Sequence, residues 1–367
     1  MLTGNAKTMT DLIEAVQEES ILKRDFVPVP AYKMTARSAL GNRAQLMIEL
    51  NEGSPEAVSF DLMPVAHENL SALCGIDMRY YRKLLSISSK ELWAANVNEW
   101  LPGVTDRTIR TFDPCHPASE DDSPSTLSGA IRCLMSDRYR CLDNADLLAA
   151  LLPQFEKREL NVLTCNLSEK QMVIKAVSPR MLADVPRLGD SVQAGIAVGN
   201  SEVGTGSLWI TTYDYVLSCT NGMTGVKANK WVHRSGKAGD EDTQFETYTS
   251  DTKRKTNEAF WAQVTDGIDR IFDEELFAVR LSNYGDAADD EVERVNERPV
   301  IETVCSDYGI PKEDVDEVLR HYHLGGHENR WGVAQAVTRY AQDVSDFDVA
   351  TKLEGAGSNI ISKALPV

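Results

Sequence analysis

The sequence predicts an α+β fold: an antiparallel β-sheet of hairpins flanked by helices, followed by a C-terminal helical lobe. Three observations lead there. Residues 160–219 hold short β-rich runs separated by polar turns, as in "LNVLTCNLSEKQMVIKAV". From about 256 the apolar period becomes helical, with Phe260, Val264, Ile268, Ile271 and Phe272 in one stripe. Between 64 and 101, Pro64 opens a helix and Asp77 is placed to cap a second. The expected organisation is an N-terminal α+β region over 1–112, the antiparallel sheet region of the same domain over 113–255, and the helical lobe over 256–367.

Taken in order, residues 10–23 predict an amphipathic helix through Leu12, Ile13, Val16 and Ile21. "RDFVPVPAYKM" follows as an extended arm, because its prolines disfavour helix. "AQLMIEL" and "VSFDLM" are strands around the turn-forming "NEGSP". Three helices cover 64–76, 77–87 and 89–101. The serine, proline and acid-rich stretch 113–127 is a loop. "SGAIRCLMSDRYRCLDN" is a strand bending into a turn, and Asn144 caps the helix "ADLLAALLPQF". "VQAGIAV", "SLWITTY" and "YVLSCT" add three strands. One long helix is expected over "NEAFWAQVTDGIDRIFDEELFAVRL", then helices near 288–306, 311–323 and 329–344.

At 367 residues a full core is easily buried. No window approaches eighteen consecutive apolar residues, and the N-terminus lacks the basic and apolar regions of a signal peptide, so no membrane partner and a cytoplasmic location are expected. Seven cysteines without a CxxC pair read as reduced thiols, not as a disulfide framework or the usual zinc site. The net charge of −18 repels nucleic acid at long range, but salt screens beyond roughly 8 Å, so a local basic patch can act against the global sign.

Several catalytic and metal patterns fail on inspection. Gly199 to Gly204 satisfies GxxxxG, but Thr205 and Gly206 stand where a P-loop needs Lys then Ser or Thr, and a strand follows instead of a helix. Gly204 and Gly206 read instead as positive-φ turn residues. Val203 breaks GxSxG around Ser201. His321 and His323 diverge on a helix, and Gly325 and Gly326 separate them from His327, so no metal is expected there. The acids at 273–275 and 286–293 fit a solvated helical face. No catalytic residue and no cofactor is expected.

The basic residues depart from the acidic background. "VKANKWVHRSGKA" holds Lys227, Lys230, Arg234 and Lys237 beside Trp231 without one acid, and Arg132, Arg138 and Arg140 surround Tyr139. Cations neutralise phosphates while ring faces stack bases, at about 1–3 kcal/mol each, which is the composition single-stranded nucleic acid requires. A solvated loop around a core aromatic has the same composition.

Three stretches carry a resemblance: "LMSDRYRCLDNADLLAALLP", "VGNSEVGTGSLWITTYDYVLSCTNGM" and "RWGVAQAVTRYAQD". In this order they resemble motifs of the phage/plasmid-like family defined by the domain of unknown function 932. With "HENLSALCGIDMRYYRKLL" the resemblance spans roughly 60–345, departing at Gln335, where the family pattern has asparagine. It implies a protein of a phage, plasmid or related mobile element in a bacterial host, without a settled biochemistry. The expected function is an accessory role in replication or recombination through single-stranded DNA binding, strand annealing included, by a homo-oligomer on analogy alone. The alternative is a non-enzymatic interaction protein, structural or anti-defence, acting on a host protein.

Overall fold

The computed structural model describes residues 8–26, 34–39, 43–49, 57–86, 90–101, 107–112, 129–136, 142–225, 229–231, 250–363 and 365. Helix α1 (Met9–Leu22) starts at a capping box: the Thr8 hydroxyl accepts from Asp11 N at 3.1 Å, and the Asp11 carboxylate accepts from Thr8 N at 2.9 Å. It runs directly into β1 (Lys23–Phe26), the first part of the expected extended arm.

With β2 (Met34–Ala39), β3 (Arg43–Glu49), β4 (Ala57–Leu62), β5 (Arg107–Phe112) and β6 (Gly129–Ser136), β1 forms a six-stranded sheet of order β1-β5-β6-β4-β3-β2. Its neighbours are antiparallel except β4 and β6, which run parallel with Phe60 opposite Gly129. Parallel pairing needs a long crossover. Helices α2 (Pro64–Leu73), α3 (Met78–Ser86) and α4 (Glu91–Trp100) lie within it and bury Leu70, Tyr81 and Trp93 against Leu46, Ile48 and Phe60. Asp77 caps α3 as expected, accepting from Arg79 N and Tyr80 N at 3.0 and 3.2 Å.

The second sheet is antiparallel, of order β11-β10-β9-β8-β7, from β7 (Asn161–Leu167), β8 (Met172–Asp184), β9 (Ser191–Asn200), β10 (Leu208–Val216) and β11 (Asn221–Thr224). "SLWITTY" and "YVLSCT", expected as two strands, form the single strand β10, and the chain turns after Val216. β11 pairs with the second half of β10, and β12 (Asn229–Trp231) pairs with its first half. Of the two glycines expected at positive φ in the β9–β10 turn, Gly204 is there at +79°, whereas Gly206 is not.

Helix α5 (Asn144–Lys157) has Asp143 in its N-cap position, one residue before the expected Asn144, but without a side-chain cap. The long helix expected after 256 is two: α6 (Ser250–Ile271) and α7 (Glu274–Ala288), broken where Asp273 turns its side chain back to accept from Leu276 N at 2.9 Å. Four members of the predicted stripe, Phe260, Val264, Ile268 and Ile271, pack with Leu12, Leu151 and Ile196, so α6 lies on the second sheet beside α1 and α5. Helices α8 (Glu297–Tyr308), α9 (Val315–Gly325), α10 (Arg330–Asp343) and α11 (Phe347–Ser362) join α7 against Val192, Val216 and Met223 of that sheet. The five described cysteines are free thiols. Among the described residues no helix is long and apolar enough to cross a membrane.

Candidate nucleic-acid interface

The loop after β9 is built around Glu202, whose side chain is 3% exposed. Three cations from the first sheet converge on it. Arg132 of β6 donates to Oε2 at 2.7 Å, Lys23 of β1 lies 3.3 Å from Oε1, and Arg110 of β5 donates to the Glu202 carbonyl at 3.3 Å. The first amide of α5, Asn144 N, donates to Oε1 at 2.6 Å, where the helix dipole favours an anion. Burial pushes the Glu202 carboxyl up, but Arg132, Lys23, Arg110 and the Asn144 amide outweigh it, and the group ends below the usual carboxylate range. Asp25 completes the centre through a two-pronged pair with Arg110 at 2.8 Å on each arm.

Arg132, expected to contact nucleic acid, is therefore corrected to an internal role. It is 2% exposed, its guanidinium reaches Glu202 and Glu19, and it lies over the Phe112 ring. β6 is covered on both faces, so a position that reads as basic and solvated becomes an internal tie between the two sheets. Arg138, Tyr139, Arg140, Lys227, Arg234 and Lys237 lie outside the described residues. Lys230 and Trp231 are backbone-paired in β12: Lys230 stands opposite Trp209 and Trp231 opposite Leu208.

The motifs meet pairwise. Asn200, from the second stretch, donates to Leu142 O and Asn144 Oδ1 of the first, both at 2.8 Å. Cys-Thr-Asn-Gly-Met meets the third stretch: Asn221 donates to Gln335 O at 3.3 Å and to the Thr338 hydroxyl. Beside them Asp190 accepts from Ser218 Oγ at 2.7 Å and Trp331 Nε1 at 2.9 Å, with His327 Nε2 at 3.1 Å. The His327 bond, helped by Ser218 and Trp331 against the cost of burial, lowers the Asp190 carboxyl to about 2. His323 sits instead against Glu297 at 3.2 Å, and the two histidines part where the left-handed Gly326 ends α9 between them.

No family model, no curated protein and no solved structure matches this chain.

A surface that the basic segments did not point to lies on β10. Trp209, Tyr213 and Tyr215 sit at alternate positions and share one face of the sheet. Two glycines on neighbouring strands make room for the rings. A Cβ on Gly199 would come within 2.3 Å of the Trp209 ring, and one on Gly222 within 2.2 Å of Tyr213. Tyr213 and Tyr215 stack at 6.4 Å between centroids, and Lys175 Nζ lies 5.9 Å from the Tyr213 ring. Tyr213 is buried, while Trp209 and Tyr215 are half-buried and keep part of their surface open. The period-two spacing of aromatics in "LWITTYDYV" is the signal that could have found them.

Proposed function

We propose that this chain is a mobile-element protein of the phage/plasmid-like family its motifs resemble, and that it binds single-stranded nucleic acid in replication or recombination. The bases stack on Trp209 and Tyr215, and the basic segment beginning at Lys227 neutralises the backbone. One observation carries this: the β12 register sets Lys230 opposite Trp209, at the edge of the sheet face that bears the aromatic residues. The stretches that carry the resemblance meet pairwise at Glu202 and at Asn221, where they join parts of the fold far apart in sequence.

Fluorescence anisotropy with labelled oligothymidine across a salt series tests it. Replacing Lys227, Lys230, Arg234 and Lys237 by Ala together should flatten the salt slope by about 0.7 for each phosphate that is no longer neutralised. Trp209→Leu should weaken binding by about 1–3 kcal/mol without changing that slope. No binding at low salt would overturn the proposal and favour the non-enzymatic host-protein interaction instead.

A further inference from the structure

We propose that Glu317, His321 and Asp343 form a binding site for one zinc-like divalent cation. The histidines of "HYHLGGH" carry no metal pattern among themselves, and the site uses only one of them. Glu317 and His321 are one turn apart on α9, hence on one face. Asp343 is the last residue of α10. The His321 side chain is 7% exposed, and its Nε2 lies 2.7 Å from Asp343 Oδ2 and 3.7 Å from Glu317 Oε1. All three donor atoms fall within 4.8 Å of one another.

A tetrahedral ion with bonds of about 2.0–2.2 Å sets its ligands roughly 3.3–3.6 Å apart. Glu317 and His321 already stand near that separation. Asp343 needs only a short outward swing, and its side chain is half exposed and able to make it. One imidazole nitrogen with two carboxylates suits a borderline first-row dication, whereas magnesium and calcium take oxygen shells. The ion takes the place of the proton between Nε2 and Asp343, which leaves to solvent. Arg320 donates from Nε to both Glu317 oxygens at 3.1 Å and from Nη2 to Oε1; the ion displaces the bonds to Oε1, and the one to Oε2 persists. The fourth position is filled by water, and the ion ties α9 to the end of α10.

Calorimetric titration of ZnCl2 into full-length protein freed of metal by a chelator tests this, with Co2+ absorption as a reporter of tetrahedral geometry. We expect one equivalent bound. His321→Ala and Asp343→Asn should each weaken it at least about tenfold, the loss that even an outer-shell partner carries. His323→Ala should leave it unchanged. Asp343 is exposed, so its variant keeps the fold and decides the matter should His321→Ala not fold. No saturable binding, binding untouched by Asp343→Asn, or equal competition by Mg2+ would each overturn the site.

Discussion

At Glu202 one carboxylate meets Arg132, Lys23 and Arg110 where almost no water reaches. Neutralising it leaves buried cations short of a counter-charge, and breaking a buried pair from one side costs about 3–5 kcal/mol. Glu202→Gln should therefore lower the unfolding free energy by about 3–5 kcal/mol, read as a lower urea midpoint at unchanged slope; a loss under about 1 kcal/mol would mean that Asp25, Asp143 and Glu19 balance the cations without it. Gln335 is the opposite case. It is buried, its Nε2 reaches only Met223 Sδ at 3.7 Å, and its Oε1 has no hydrogen-bond partner among the described residues. A polar group so poorly satisfied contributes little, so Gln335→Met should change stability by less than about 1.5 kcal/mol in either direction. Thermal melts of the two variants side by side check the contrast.

Among the elements, β9 and β10 depend on the absence of a side chain at Gly199, because the Trp209 ring occupies that space. Gly199→Ala should displace the ring, shift tryptophan emission to the red and destabilise by about 1–3 kcal/mol through overpacking. Unchanged emission would mean that the ring does not lie on that strand. The elements also mark what was legible in the sequence. The β7–β8 hairpin, the α3 cap at Asp77 and the α6 stripe follow from local chemistry: period, cap and turn residues. The parallel pairing of β4 with β6 does not, since the two strands belong to distant segments that no local pattern joins. Helix α11 escapes for another reason. Its inner glycines weaken the helical signal, yet a Cβ on Gly357 would stand 2.4 Å from Thr338 and 3.1 Å from Met223. The candidate site divides the same way. The basic segment is visible as composition, the aromatic face of β10 only once its alternation is placed on a strand, and the fate of Arg132 only once two sheets close over it.

For the whole molecule, acid should act first on the N-terminal sheet. His67 lies 2.9 Å from the Tyr81 hydroxyl and edge-on to Trp93, and burial lowers its pKa from 6.5 to about 4. Its folded pKa is depressed, so the folded state binds fewer protons than the unfolded one, and stability falls as pH drops from 6.5 towards 4. The full loss is about 3 kcal/mol. Asp190 on the second sheet is depressed from 3.8 to about 2, so its contribution survives that window and disappears only below it. The net charge of −18 works the other way, since protonating carboxylates relieves self-repulsion as the pH falls. A variant that shares this charge separates the two effects. His67→Gln keeps a partner for Tyr81 and cannot titrate, so its unfolding free energy, read from the urea midpoint and slope, should fall less than that of the wild type between pH 6.5 and 4, by up to about 3 kcal/mol. Below pH 4 the two should decline in parallel as Asp190 loses its charge. Parallel decline across the whole range would mean that the His67 pocket admits water and a proton without cost, and that acid sensitivity begins elsewhere in the fold.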